Sequence, residues 1–95
     1  MDMLFCAAYS EPTEKVRRAI MEVIEADGRI LDDPAPFVAL NAYKDSVVEY
    51  VVRVWVKNED YWGVHFSLNE NVRESFARNG VAMSFAHMNV HIVEK

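Results

Sequence analysis

Ile30-Leu31-Asp32-Asp33-Pro34-Ala35-Pro36 is the stretch on which the fold turns. Two prolines two positions apart lack N–H donors and push the residues before them toward extended geometry. Residues 29–36 therefore read as a connector and not as helix. Before it, Val16, Ile20, Val23 and Ile24 recur at i, i+4, i+7 and i+8, one apolar helical stripe. Glu14, Arg17, Arg18, Glu22 and Glu25 cover the other side of that helix. Ser10 is predicted to cap it, Pro12 to sit in its first turn, and Gly28 to supply a left-handed residue after its end. After the connector, residues 37–43 predict a strand, Lys44-Asp45-Ser46 a turn, and residues 47–57 a longer strand rich in β-branched side chains.

The outer parts of the chain complete the pattern. Residues 3–9 predict a short apolar first strand. Asn58 or Asp60 is expected to cap a second helix running to about Asn79, with Leu68, Val72 and Phe76 as its apolar stripe and Gly80 as its stop. Residues 85–93 read as a last strand. The order βαββαβ predicts an α+β, ferredoxin-like fold: a four-stranded antiparallel sheet with two helices on one face. The 95 residues form one domain, residues 1–95, with enough chain for a single thin core.

Composition narrows the partners. Net charge is −5, and the one tight basic group, Lys15, Arg17 and Arg18, is surrounded by Glu11, Glu14 and Glu22. Phosphate backbones bind clustered Lys and Arg, so nucleic acid is not expected as a partner. A single cysteine, Cys6, excludes an intrachain disulfide and a CxxC motif, and its apolar neighbours suit an inert thiol. No apolar run approaches the roughly 20 residues that cross a bilayer, and no signal-peptide pattern opens the chain. It begins almost directly in a strand, as expected of a piece of a longer protein.

Strand alternation separates two faces. On the third strand Val48, Tyr50, Val52, Val54 and Val56 form an apolar row, expected to face the helices. Glu49, Val51, Arg53, Trp55 and Lys57 form the other row, on the face left bare. Tryptophan and arginine together are enriched at interface centres, and Phe37, Tyr43 and Val51 are expected near Trp55. The last strand carries a second apolar surplus, with Ala86, Met88, Val90 and Ile92 in one row and Phe85 and Val93 in the other. A protruding edge of this kind is a template for pairing with another chain. Val51, Arg53, Trp55, Phe85, Met88, Val90 and Ile92 are accordingly the candidate oligomer-interface residues.

Candidate chemistry is sparse. His87 and His91 share a strand face, but four strand residues span about 13 Å, too far for one metal. His65 is remote in sequence, and no Cys or carboxylate cluster joins them. Asp32 and Asp33 point apart on an extended chain and suit loop capping before Pro34. An acylphosphatase-like loop needs glycine and arginine after the first strand, whereas this chain has Ala8-Tyr9-Ser10-Glu11. Walker, dinucleotide and nucleophile-elbow motifs are absent. No enzyme activity, cofactor or metal is predicted. An RNA-binding sheet would interleave aromatics with basic residues on two central strands, and only Arg53, Trp55 and Lys57 echo that.

The order of signals resembles the C-terminal cytoplasmic domain of the small-conductance mechanosensitive (MscS) channel family, over nearly the whole chain. The likeness rests on Ala7-Ala8-Tyr9-Ser10-Glu11, on Val16, on the connector Ile30 to Pro36, on Arg53-Val54-Trp55, on the aromatic pair Tyr61-Trp62, and on Phe76 to Gly80. One stretch departs from the pattern. The family usually carries Ile-x-x-Pro-x-Pro-Gln after the second helix, and this chain has Val81-Ala82-Met83-Ser84-Phe85-Ala86-His87, without either proline. The resemblance implies a homo-oligomeric channel, a heptamer in the family, on the cytoplasmic side of a bacterial inner membrane. It also implies pore segments upstream of residue 1, which alone would meet the membrane. Copies of this domain would pair with identical subunits, line a cytoplasmic vestibule, and filter ions and small solutes. Asp32, Asp33 and Glu49 are the candidate charges at gaps between subunits, because a one-signed field in a narrow opening concentrates counterions. The competing expectations are a ferredoxin-like regulatory domain binding a small molecule at a subunit interface, and a plain oligomerisation module.

Overall fold

The computed structural model describes residues 1–83. The elements are β1 (Asp2–Ala8), α1 (Thr13–Ala26), β2 (Phe37–Tyr43), β3 (Val47–Arg53), a 3₁₀ turn (Asn58–Asp60) and α2 (Tyr61–Arg78). The three strands form an antiparallel sheet in the order β1-β3-β2. The expected α+β class holds, with three strands rather than four among the described residues. The fourth, expected over residues 85–93, lies outside them.

The helix side of the sheet is where the core sits. Met3 and Ala7 of β1, Val38 of β2, and Val48, Tyr50 and Val52 of β3 are buried against Val16, Ala19, Ile20, Val23 and Ile24 of α1 and Val64, Leu68, Val72 and Phe76 of α2. The register accounts for this, since Met3 and Val38 both oppose Val52 while Phe5 and Leu40 both oppose Tyr50. Side chains directly opposite on one face lie close enough to pack. At the helix–helix contact Ser75 is fully buried, and its hydroxyl donates to the Ala19 carbonyl at 2.8 Å. A buried hydroxyl needs such a partner.

Several local expectations are corrected. Helix α1 starts after Pro12, whose extended φ and ψ make it the cap residue, so Ser10 does not cap it. Its end is Asp27, also extended, with an N–H donating to the Ile24 carbonyl, so the left-handed glycine expected at Gly28 is not used. Gly80, by contrast, has φ +70°, and Val81 N–H reaches the Phe76 carbonyl at 2.8 Å while Gly80 N–H reaches that of Ala77. That double bond is the Schellman ending. Strand β3 stops at Arg53 instead of Lys57. Val54 still pairs with Met1 through both main-chain groups, and Val56 bridges to Ile30 of the connector, so the chain leaves the sheet by exchanging partners. A bulge between Leu40 and Ala42 shifts the β2–β3 register at Asn41.

Candidate functional site

The face of the sheet opposite the helices is organised in three rows. In the first, Asp2, Arg53 and Phe37 lie side by side across β1, β3 and β2. Arg53 Nε donates to Asp2 Oδ1 at 3.0 Å, and its guanidinium stands 5.7 Å from the centre of the Phe37 ring. The middle row is Leu4, Val51 and Ala39, wholly apolar. In the third, Cys6 opposes Glu49, and Asn41 Nδ2 donates to Glu49 Oε1 at 2.8 Å. Burial, with the Glu49 carboxylate as a smaller cause, raises the Cys6 thiol pKa, which keeps it protonated and unreactive. Leu4 is 56 % exposed and Phe37 46 % exposed. The face is thus an apolar band held between two rows, one carrying the Arg53–Asp2 ion pair and the other the Asn41–Glu49 hydrogen bond.

Of the interface candidates, Val51 and Arg53 sit on this face. Trp55 lies past the end of β3 and is half-buried, and its carbonyl accepts from Leu31 N–H at 2.9 Å. Its backbone is therefore tied to the connector, two residues beyond the end of the strand. Tyr43, expected near Trp55, is at the opposite end of the sheet, stacked on Tyr9 with ring centres 6.1 Å apart. The Tyr9 hydroxyl donates to the Lys44 carbonyl at that end. Phe85, Met88, Val90 and Ile92 fall outside the described residues.

The three charge candidates do not form one cluster. Asp32 and Asp33 are exposed on the connector, which enters β2 beside Arg53. Glu49 is four strand residues further along, about 13 Å away at strand spacing. Its carboxylate faces Asn41 on the sheet. No group of three metal-ligating side chains occurs among the described residues.

Three features were not anticipated. Leu4 and Ala39 complete the middle row. They follow from strand alternation once the register is known, and register is not written in any one strand. A second apolar patch lies on α2, where Trp62 and Phe66, both about three-fifths exposed, stack with ring centres 5.9 Å apart and flank His65. Their i, i+4 spacing was visible in the sequence. The third is a clasp around the end of α2. The Glu11 carboxylate accepts from Lys15 Nζ at 2.9 Å and from Ala82 N–H at 2.7 Å, and Lys15 Nζ also donates to the Gly80 carbonyl at 2.8 Å. The Lys15 hydrogen bond, and then the Ala82 N–H, lower the Glu11 pKa. Neighbouring polar links act the same way: Asn79 and Arg78 lower Glu22, and Arg29 lowers Asp27.

A family profile described as "Mechanosensitive ion channel MscS, C-terminal" matches residues 2–83. This chain belongs to the MscS mechanosensitive ion channel family. Among curated relatives, it is similar to a small-conductance mechanosensitive channel of Edwardsiella ictaluri, at 35% identity over 99% of the chain and 33% of the relative. An MscS family protein of Synechocystis sp. is 30% identical over 99% of the chain and 32% of its own length. One from Archaeoglobus fulgidus is 30% identical over 81% of the chain and 27% of its own length. The chain thus spans about a third of the length of the curated relatives it matches. Among the described residues no helix is long and apolar enough to cross a membrane.

Proposed function

We propose that this domain is a vestibule and assembly element of a mechanosensitive channel, on the cytoplasmic side of the membrane. Identical copies associate around a common axis, as a heptamer by family resemblance, and the gaps between them filter ions and small solutes. The observation that carries the assembly part is the uncovered row Leu4–Val51–Ala39, bounded by the Arg53–Asp2 ion pair and the Asn41–Glu49 hydrogen bond. An apolar core inside a polar rim is the anatomy of a protein–protein interface. The filtering part rests on Asp32 and Asp33, exposed on the connector, with Glu49 acting separately from the sheet face. A fourth strand over residues 85–93 would complete the ferredoxin-like arrangement, with Phe85, Met88, Val90 and Ile92 as its candidate contacts to neighbouring copies.

The test is made in the full-length channel. Val51→Lys is expected to reduce assembled complexes in cross-linking and native mass measurements while the separate domain keeps its circular dichroism. Assembly indifferent to a lysine in that row would remove the reading. For filtering, Asp32→Lys with Asp33→Lys is expected to shift the reversal potential toward anion preference in patch recordings. Unchanged selectivity would reject those residues as portal charges.

A further inference from the structure

We infer that the sheet face of one copy receives the outer face of α2 from the next, with Phe66 of the second copy over Val51 of the first, Trp62 beside Arg53, and Arg73 reaching Glu49. The contact is head-to-tail, so each copy offers its sheet face to one neighbour and its second helix to the other. This rests on the assembly reading above and names the surface that meets the sheet face.

The two patches lie on opposite sides of the molecule. The core packs between the helices and one face of the sheet, and Leu4, Val51 and Ala39 are on the other face. Helix α2 buries Val64, Leu68, Val72, Ser75 and Phe76. At about 100° per residue, Trp62, Phe66 and Arg73 fall within about 40° of one another on the side turned away from these. Trp62 and Phe66 are stacked, and Arg73 is exposed. A single copy therefore cannot bring the two patches together, and a second copy can.

Their spacings match when the helix lies along β3. With Phe66 set over Val51, Trp62 stands about 6 Å further along the helix axis, and Arg53 about 6.6 Å further along the strand. In the other direction Arg73 is about 10.5 Å from Phe66 and Glu49 about 6.6 Å from Val51, a difference that the long arginine side chain covers. The chemistry at both ends agrees. Among the described residues Arg73 joins no ion pair, and the partner of the Glu49 carboxylate is the neutral amide of Asn41. Arg53 already stands over the Phe37 ring, and the indole of Trp62 adds the aromatic surface to which a guanidinium is attracted most strongly.

Two sheet faces pressed together are less well matched. A two-fold pairing sets Val51 against Val51 and offers Glu49 the Arg53 of the other copy, which Asp2 already holds at 3.0 Å. It leaves the Trp62–Phe66 patch bare, and it stops at two copies. A head-to-tail contact uses both patches and continues, and it closes into a ring when the rotation allows. That kind of contact sets more than two copies around one axis, as the assembly reading requires.

Cross-linking in the full-length channel is the test. The background carries Cys6→Ser, since Cys6 lies on the same sheet face, and no other cysteine. Val51→Cys with Phe66→Cys, treated with a short bis-maleimide, is expected to give ladders of three or more linked chains, and each single variant none. Dimers from Val51→Cys alone would show two sheet faces meeting and overturn the inference. Assembled copies by native mass, without links between positions 51 and 66, would overturn it too and leave the assembly reading standing; a failure to assemble overturns both. Charge supplies a second measurement. Glu49→Arg and Arg73→Glu should each lower the yield of the 51–66 link by about threefold or more, and the two together should restore it. A pair that links no better than either change alone would reject the register.

Discussion

Leu4→Lys separates assembly from folding. Leu4 is 56 % exposed in the single chain, so a lysine there has room to reach water and little core contact is lost. Monomer stability is therefore expected to change by no more than about 0.5 kcal/mol, as for other surface substitutions. In an assembled pair the same position would be covered. Fully burying a leucine is worth about 1.5–3 kcal/mol, so covering the exposed 56 % is worth about 1–1.5 kcal/mol. A lysine forfeits that and adds the cost of bringing an ammonium against Val51 and Ala39. Each 1.4 kcal/mol is a factor of ten, so association should weaken by at least about tenfold. Concentration-dependent sedimentation, supported by an amide-shift titration, reads the association, and urea unfolding reads the stability. A wild-type chain that shows no association up to about millimolar, or a Leu4→Lys chain that associates as tightly as wild type, refutes the reasoning.

Three further outcomes are expected. Leu68 is fully buried between the helix layer and the sheet, and Leu68→Ala should cost about 2–5 kcal/mol in urea unfolding, a large share of the total for a chain this size; a loss under about 1 kcal/mol would mean the site collapses around the gap. Gly80→Ala forces a Cβ into a φ of +70° and should cost about 1–2 kcal/mol, read as a lowered urea midpoint, whereas an unchanged midpoint would show that the α2 ending relaxes freely. Glu11, Glu22 and Asp27 have folded pKa values below their unfolded ones, so their contribution is complete above the ordinary carboxylate range and is lost as pH falls through the folded values. The urea midpoint should fall on acidification below about pH 5, with a shallower slope in Glu11→Gln and Glu22→Gln, and a midpoint that rises there would contradict the sign.

The strongest sequence signals were those a single segment carries by itself. The helical stripes Val16–Ile20–Val23–Ile24 and Leu68–Val72–Phe76 are buried as their spacing requires, and the double-proline connector separates helix from strand. What failed were features decided by a second segment. The third strand is expected to run to Lys57, but Ile30 and Leu31 of the connector pair with residues 56 and 55, and the strand ends at Arg53. Ser10 and Gly28 are good capping residue types, yet Pro12 and Asp27 hold the extended conformations at the helix ends. Propensity ranks residues at a cap, and the approach of neighbouring chain selects among them. The row Leu4–Val51–Ala39 needs two registers at once, β1–β3 and β2–β3, which no local pattern encodes.

The size of that row bears on how the domain works. Three strands about 4.8 Å apart and seven residues long at about 3.3 Å each present a footprint of roughly 300 Å². A standard interface buries about 800 Å² on each partner. The sheet face alone is therefore too small to hold copies together firmly, and even with the Trp62–Phe66 patch added the contact is modest. Such a surface becomes decisive when something else has already brought the copies near, because tethering raises effective concentration to the millimolar range. The chain spans only about a third of its relatives. If the other two-thirds anchor neighbouring copies, a weak face is an advantage, since it can part and re-form without dismantling the assembly. Strengthening the face, for example by Ala39→Leu beside Val51, should then tighten association of the separate domain and slow any rearrangement in the tethered one. A variant that tightens the first without slowing the second, measured by exchange of cross-links at Leu4→Cys, would place the working contact elsewhere.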